Sequence, residues 1–311
     1  MPPHEAATGH DGTMNVVVVG GAGFIGSHLV DRLLADGDAV DVVDDLSHGS
    51  LANLAEARSM AGSLKIHHLD AASDEFSSLM GMRSPDVLYH LAAIPRGTTT
   101  PLSLARAFST TMAVVEAARL HGVAKIVVAL PASALYGRPA SRDLPLKEQP
   151  LEPRGTRGVV ARATVDLLTA YREHEALEFT ALALAHVYGS RQRPDSGVVA
   201  AFRHAAHERL APTITGDGRQ TRDFLFIDDA VDALAKAGPR GSGLVVNVGT
   251  GEQTSVVSLW DTIAGPNAPE PKFVPSAATE IQRFAVSPVR ARIHLSWSPW
   301  TELSDGLTQI R

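Results

Sequence analysis

The chain has 311 residues, 44% of them hydrophobic, enough for a full buried core in one large domain or one and a half. Its formal net charge is −6, and no basic run or basic–aromatic stripe offers a nucleic-acid footprint. With no cysteine and no apolar run long enough to span a bilayer, disulfides and thiolate metal sites are excluded and a cytoplasmic, metal-free protein is expected.

Residues 1–13 lack the basic and apolar regions of a signal peptide and are read as a disordered tail, with Met14 available as a natural start. Asn15-Val16-Val17-Val18-Val19 then reads as a strand buried on both faces, as in the middle of a parallel sheet. Gly20-Gly21-Ala22-Gly23-Phe24-Ile25-Gly26 follows at once, and residues 27–34 are apolar at helical spacing. Strand, glycine turn and helix is the order that lets backbone N–H groups and a helix N-terminus hold a pyrophosphate. Gly20, Gly23 and Gly26 stand where side chains would block the turn, the phosphate approach and the helix–strand packing. The next β-rich run, residues 39–43, ends in Asp44, at the distance where a carboxylate meets the adenosine ribose. No Arg or Lys follows within Asp45-Leu46-Ser47-His48-Gly49 to neutralise a 2′-phosphate, so NAD is expected over NADP.

Further β-rich apolar runs at 64–67, 87–91, 126–130 and 179–184 alternate with helical patterns, the long ones at 102–121 and 156–174. This alternation predicts an α/β fold, a doubly wound parallel sheet with right-handed crossovers. A dinucleotide-binding domain is placed at 14–184. From 185 to 311 the pattern loosens, with turns at 188–190 and 215–218, a helix over 197–209 and a proline-rich stretch at 266–275. This part is read mostly as a smaller substrate-binding lobe over the carboxyl ends of the strands, with a strand over 244–248 returning to the sheet.

In this order the motifs resemble the extended short-chain dehydrogenase/reductase family, and within it the NAD-dependent nucleotide-sugar epimerases and dehydratases. The glycine loop of residues 20–26 matches the family's almost letter for letter, and Asp44-Asp45-Leu46-Ser47 resembles its ribose-binding segment. Leu69-Asp70 resembles the pair whose carboxylate meets the adenine, although an Asp there equally caps the next turn. His90-Leu91-Ala92-Ala93 is similar to the strand-four signature. Val187-Tyr188-Gly189, Gly216-Asp217-Gly218, Gln220-Thr221-Arg222-Asp223-Phe224, Ile227-Asp228-Asp229 and Asn247-Val248-Gly249-Thr250-Gly251 follow in family order.

The resemblance implies a Rossmann fold of the extended type. It implies NAD held by Gly20, Gly23, Phe24, Ile25, Gly26, Asp44, Asp45, Leu46, Ser47, Asp70, Leu91, Ala92 and Ala93. A UDP- or dTDP-hexose is implied at Arg222, His186 and Arg191, with Arg222 gripping the diphosphate or else pairing with Asp223, Asp228 or Asp229. It also implies a homodimer through a bundle of helices 102–121 and 156–174. Phe108, Met112, Val115, Val165, Leu168 and Tyr171 are the candidate stripe, a pattern that packing on the chain's own sheet explains equally.

The family's chemistry needs a Tyr, a Lys four residues on, and a Ser or Thr after strand five. The tyrosinate takes a hydroxyl proton while hydride passes to the nicotinamide. Counted along the motifs, these positions hold Arg157, Ala161 and Ala132. None of Tyr89, Tyr136, Tyr171 and Tyr188 has a lysine four residues later, so the pair is absent from the chain. A guanidinium stays protonated and cannot act as the base. The substrate side departs as well, with Ala107, His186 and Ala277 where Asn, Asn and Arg are expected. Ser133 and His186 are the substitute acid–base candidates, with Tyr188 at the cleft rim and Arg96 after strand four. Two functions follow. The first is a degenerate NAD-binding homologue without ordinary turnover, in a regulatory or partner role; the alternative is an active epimerase, 4,6-dehydratase or reductase using Ser133 or His186.

Overall fold

Four consecutive valines leave no polar face for water, and Val16 to Val19 are at most 3% exposed in the computed structural model. It describes residues 13–94, 100–148, 150–266, 268–276 and 280–310. The expected tail up to residue 12, Arg96 and Ala277 therefore lie outside the described residues.

The strands are β1 (Asn15–Val19), β2 (Ala39–Asp44), β3 (Leu64–His68), β4 (Val87–His90), β5 (Lys125–Pro131), β6 (Glu178–Leu184), β7 (His186–Tyr188), β8 (Thr213–Thr215), β9 (Thr221–Arg222), β10 (Phe224–Phe226), β11 (Leu244–Val248), β12 (Thr254–Ser255) and β13 (Lys272–Val274). Seven of them form one parallel sheet in the order β11-β6-β5-β4-β1-β2-β3. β1 lies centrally, Val17 facing Asp41 of β2 on one side and Leu88 of β4 on the other. The chain winds outward in both directions from β1, so the order reverses between β1 and β4. A ligand crevice opens at such a reversal. As expected, 244–248 returns to the sheet, with Val246 opposite Leu182. The remaining strands pair in twos, β7 with β10, β8 with β13 and β9 with β12.

Helix Phe24–Ala35 buries Ile25, Leu29, Val30, Leu33 and Leu34 and packs on helix Ile227–Ala237. The two long helices, Pro101–Leu120 and Gly155–Glu175, pack on each other beside the sheet. Thr100 caps the first through a reciprocal pair with Ser103, and Pro101 sits where a missing N–H costs nothing.

Half of the expected intersubunit stripe belongs to the subunit's own core. Val115, Val165 and Leu168 are 0%, 6% and 1% exposed. Both helices lie against the sheet, so their apolar i, i+3, i+4 face is used inside the chain. Tyr171 points its hydroxyl at Glu116 (2.9 Å), Phe108 is half-buried, and Met112 is the exposed member at 46%. Among the described residues, no helix is long and apolar enough to cross a membrane.

Candidate functional site

At the reversal between β1 and β4 lies a cavity of about 1180 Å³, walled by residues at the carboxyl ends of β1, β2, β4, β5 and β6. Its floor is the glycine turn. Gly20 adopts φ +81°, and a Cβ on Gly26 would stand 2.1 Å from the Gly20 carbonyl oxygen. A Cβ on Gly23 would stand 3.2 Å from the same oxygen. Side chains here would fill the space where backbone amides meet a phosphate, so the cradle fits a dinucleotide.

Asp44 closes the second strand, 8% exposed. Its two carboxylate oxygens accept from Ala22 N–H and Leu46 N–H, each at 2.9 Å. Burial pushes its carboxyl above the ordinary range, against the opposing pull of those amides. A Cβ on Gly49 would stand 2.8 and 2.9 Å from these same oxygens, so only glycine leaves Asp44 uncovered. Asp45 is held by the Ser47 backbone N–H (2.9 Å) and hydroxyl (2.6 Å). Asp70 caps the following turn through Ala72 N–H (2.8 Å) and still lines the wall, so the capping and ligand readings coexist.

Gly20, Gly23, Phe24, Ile25, Gly26, Asp44, Asp45, Ser47, Asp70, Leu91 and Ala92 are all brought to the cavity wall. Leu46 and Ala93 are not. Leu46 takes φ +59° and packs on the core, and Ala93 is fully buried.

The other end of the cavity carries Ser133, Arg157, His186 and Tyr188. Ser133 stands on the wall while Ala132, 0% exposed, lies behind it. Ala161 is likewise 0% exposed and off the wall. Arg157 enters the cavity with its Nε buried and without a hydrogen-bond partner. Burial lowers its pKa, which remains that of a cation.

His186 opens β7 with its ring edge-on to Phe224 and Phe284, centroids 6.2 Å apart in each case. Burial, reinforced by the nearby Arg222 charge, pushes its pKa down to about 3. A buried, neutral imidazole beside the Arg222 charge is a weak acceptor for a sugar hydroxyl proton.

Two arginines expected at the substrate are otherwise engaged. Arg222 lies off the cavity wall, donating to the carbonyls of Thr221 (2.8 Å) and Ile281 (2.7 Å), with Glu280 at 3.6 Å. Its acidic partner is not one of the neighbouring aspartates. Asp223 is fully buried and accepts from Thr250, Gly251 and Val286 instead. Asp229 accepts from Thr301, and Asp228 lines a second, smaller cavity. Arg191 does reach the main wall, but it is tied to Asp31 (2.7 Å) and Glu56, anchoring its loop to helix Phe24–Ala35 and to the helix beside it.

Sequence reasoning missed Asn53 and Arg106. Asn53 lines the cavity and donates to the Ala22 carbonyl at 2.9 Å, holding the segment after β2 over the glycine turn. Nothing in its local pattern marks it. Arg106 precedes Ala107 on the long helix and lines the wall, a cation one residue from a position already singled out.

A family model described as the NAD dependent epimerase/dehydratase family matches residues 16–249. The chain is 38% identical to the UDP-glucose 4-epimerase of Mycolicibacterium smegmatis over 314 aligned positions, covering 95% of this chain and 97% of that protein. The structure of UDP-glucose 4-epimerase from Thermotoga maritima with UDP-glucose superposes with a TM-score of 0.89 at 30% identity, covering 95% of this chain and 97% of that one. The Thermus thermophilus UDP-glucose 4-epimerase complexed with NAD gives 0.86 at 27%, with the same coverages.

Proposed function

The chain belongs to the NAD-dependent epimerase/dehydratase family, and from that premise we propose that it holds a UDP-hexose beside its NAD and works on the sugar as an epimerase-type enzyme. One observation carries this reading. A single cavity runs without a break from the glycine turn and Asp44 to Ser133, Arg157 and His186. Relatives bearing the epimerase name over nearly the whole chain support it.

Bound NAD supplies a hydride acceptor. The chain's own residues must then orient the sugar and move one hydroxyl proton. Of the hydroxyls on the wall we assign this to Ser133, which follows β5, because burial makes His186 a weak base and Arg157 has no lone pair to offer. A serine hydroxyl can pass a proton to water but does not hold it as a tyrosinate does. Turnover is therefore expected roughly a hundred- to ten-thousand-fold below that of a protein with the complete acid–base set.

A second reading is favoured by Arg157 and the buried Ala161. On it the chain binds NAD and nucleotide sugar without ordinary turnover, in a regulatory or partner role. Prolonged incubation with NAD and either UDP-glucose or UDP-glucuronate separates the two. Slow appearance of a C4 epimer, abolished by Ser133→Ala, supports the enzyme; no product from wild type with either sugar supports the silent binder.

A cytoplasmic homodimer completes the proposal. The two long helices leave Leu102 (65%), Met112 (46%), Leu120 (57%) and Val159 (61%) exposed, apolar residues free to meet a second copy. Light scattering at micromolar concentration should give twice the chain mass, and Met112→Glu should reduce it. A monomer mass for wild type refutes the pairing.

A further inference from the structure

The two ends of the cavity differ in charge. At the adenosine end stand Asp44, Asp45 and Asp70, each occupied by backbone or hydroxyl donors. At the far end stand Arg157 and Arg106, and among the described residues neither forms an ion pair or a hydrogen bond.

Arg157 differs in this from other arginines that reach the interior. Arg191 is matched by Asp31 and Glu56, Arg222 by Glu280 and two carbonyls, and Arg290 by Glu148 and the Val245 carbonyl. Its position is also fixed. A Cβ on Gly158, one residue on, would stand 2.8 Å from the Ala134 carbonyl oxygen, so the start of helix Gly155–Glu175 is pressed against the short helix Ala132–Tyr136. The guanidinium thus lines the same cavity as Ser133, partly desolvated and unpaired, which costs free energy until an anion meets it.

We propose that Arg157 receives a carboxylate carried by the sugar, making this chain selective for a nucleoside-diphosphate hexuronate over the neutral hexose. The inference rests on the reading above that a nucleotide sugar occupies this end of the cavity. A guanidinium fork matches a carboxylate bidentately, whereas a neutral sugar leaves the charge without a counterion. The ligand's diphosphate is the other available anion. Arg157 lines the cavity with Ser133, at the end away from Asp44 and the glycine turn, where the reading above puts the sugar, so the carboxylate is the nearer partner.

Calorimetric titration of the NAD-loaded protein with UDP, UDP-glucose and UDP-glucuronate tests this. Wild type should bind UDP-glucuronate about tenfold or more tightly than UDP-glucose. Arg157→Leu should erase that preference while leaving NAD, UDP and UDP-glucose affinities within about twofold, and Arg157→Lys should keep part of it. Equal loss for all three uridine ligands in the leucine variant would assign Arg157 to the diphosphate and overturn the proposal. So would a wild type indifferent to the carboxylate, a result that needs no variant to fold. Failure of wild type to bind UDP or UDP-glucose, with NAD still bound, would instead remove the underlying nucleotide-sugar reading and the proposal with it.

Discussion

The adenosine half and the sugar half of the cavity are built by opposite rules. At the glycine turn and Asp44, backbone amides fix the carboxylate, a 2.1 Å contact leaves no room for a side chain on Gly26, and a φ of +81° sets Gly20. Around Ser133, Arg157 and His186, a cation lacks a partner and a histidine ring nitrogen is buried without one. The first half is complete before any ligand arrives. The second leaves buried polar atoms of Arg157 and His186 without a partner from the chain. Binding and chemistry can therefore be disturbed separately.

The largest effect should come from the rigid half. Gly26→Val puts a branched side chain where even a Cβ would lie 2.1 Å from the Gly20 carbonyl oxygen. The turn or the helix must shift, so NAD affinity should fall by about a thousandfold or more, with about 1–3 kcal/mol lost from stability. Calorimetry and thermal unfolding check both. Retention of NAD binding would show that the floor yields, contrary to the comparison.

Next in size is a gain in the half that carries Ser133 and Arg157. The triple change Ala132→Thr, Arg157→Tyr, Ala161→Lys should raise epimerase turnover about a hundredfold, measured as conversion of UDP-glucose. Arg157→Tyr alone should do little, because a tyrosine without its lysine keeps a pKa near ~10 and stays protonated. Cooperating groups of this kind do not add. A single substitution matching the triple would show that the second half needs one group rather than a set.

The same contrast explains how much the sequence disclosed. A valine run buried on both faces, a glycine turn and a carboxylate at the strand end are local patterns with backbone causes, and all reached their expected places. The alternation also gave the sheet, down to the strand at 244–248. Arg222 could not be placed in this way. Its environment is set by Glu280 and the Ile281 carbonyl, residues remote in sequence and brought together by the fold. The dimer stripe was equally open, since an apolar helix face looks alike whether it meets its own sheet or another chain; Val115, Val165 and Leu168 turn inward while Met112 stays exposed. Arg157 stood out in the sequence where the resemblance implies a tyrosine, but its Nε lacking a partner is a fact of three dimensions.

A smaller effect sharpens the cofactor side. Asp44 should make NAD bind about tenfold or more tightly than NADP, and Asp44→Asn should narrow that gap. The amide retains an acceptor for one of the two backbone donors but removes the charge that repels a 2′-phosphate. Because burial raises the Asp44 pKa, NAD affinity should weaken on acidification at a pH above the ordinary aspartate value of ~3.9, protonation removing an acceptor. Titrations with both cofactors across this range give the answer. Equal affinities in wild type would refute the assignment.

The smallest effect concerns His186, and its smallness is the point. An unperturbed histidine changes charge near ~6.5 and would write that titration into any ligand it touched. Here burial and the Arg222 charge hold the pKa at about 3, so the ring stays neutral from mildly acid to mildly alkaline pH. The neutral form is the one favoured by a low-dielectric pocket between Phe224 and Phe284, and the Arg222 charge pushes the same way. The pH profiles of UDP-glucose binding for wild type and His186→Asn should therefore superimpose within about twofold between roughly pH 5.5 and 8. An inflection near ~6.5 in wild type that disappears in the variant would show a histidine that titrates against the ligand. Loss of turnover in the same variant would return His186 to the acid–base role and give the sugar half of the cavity a working base after all.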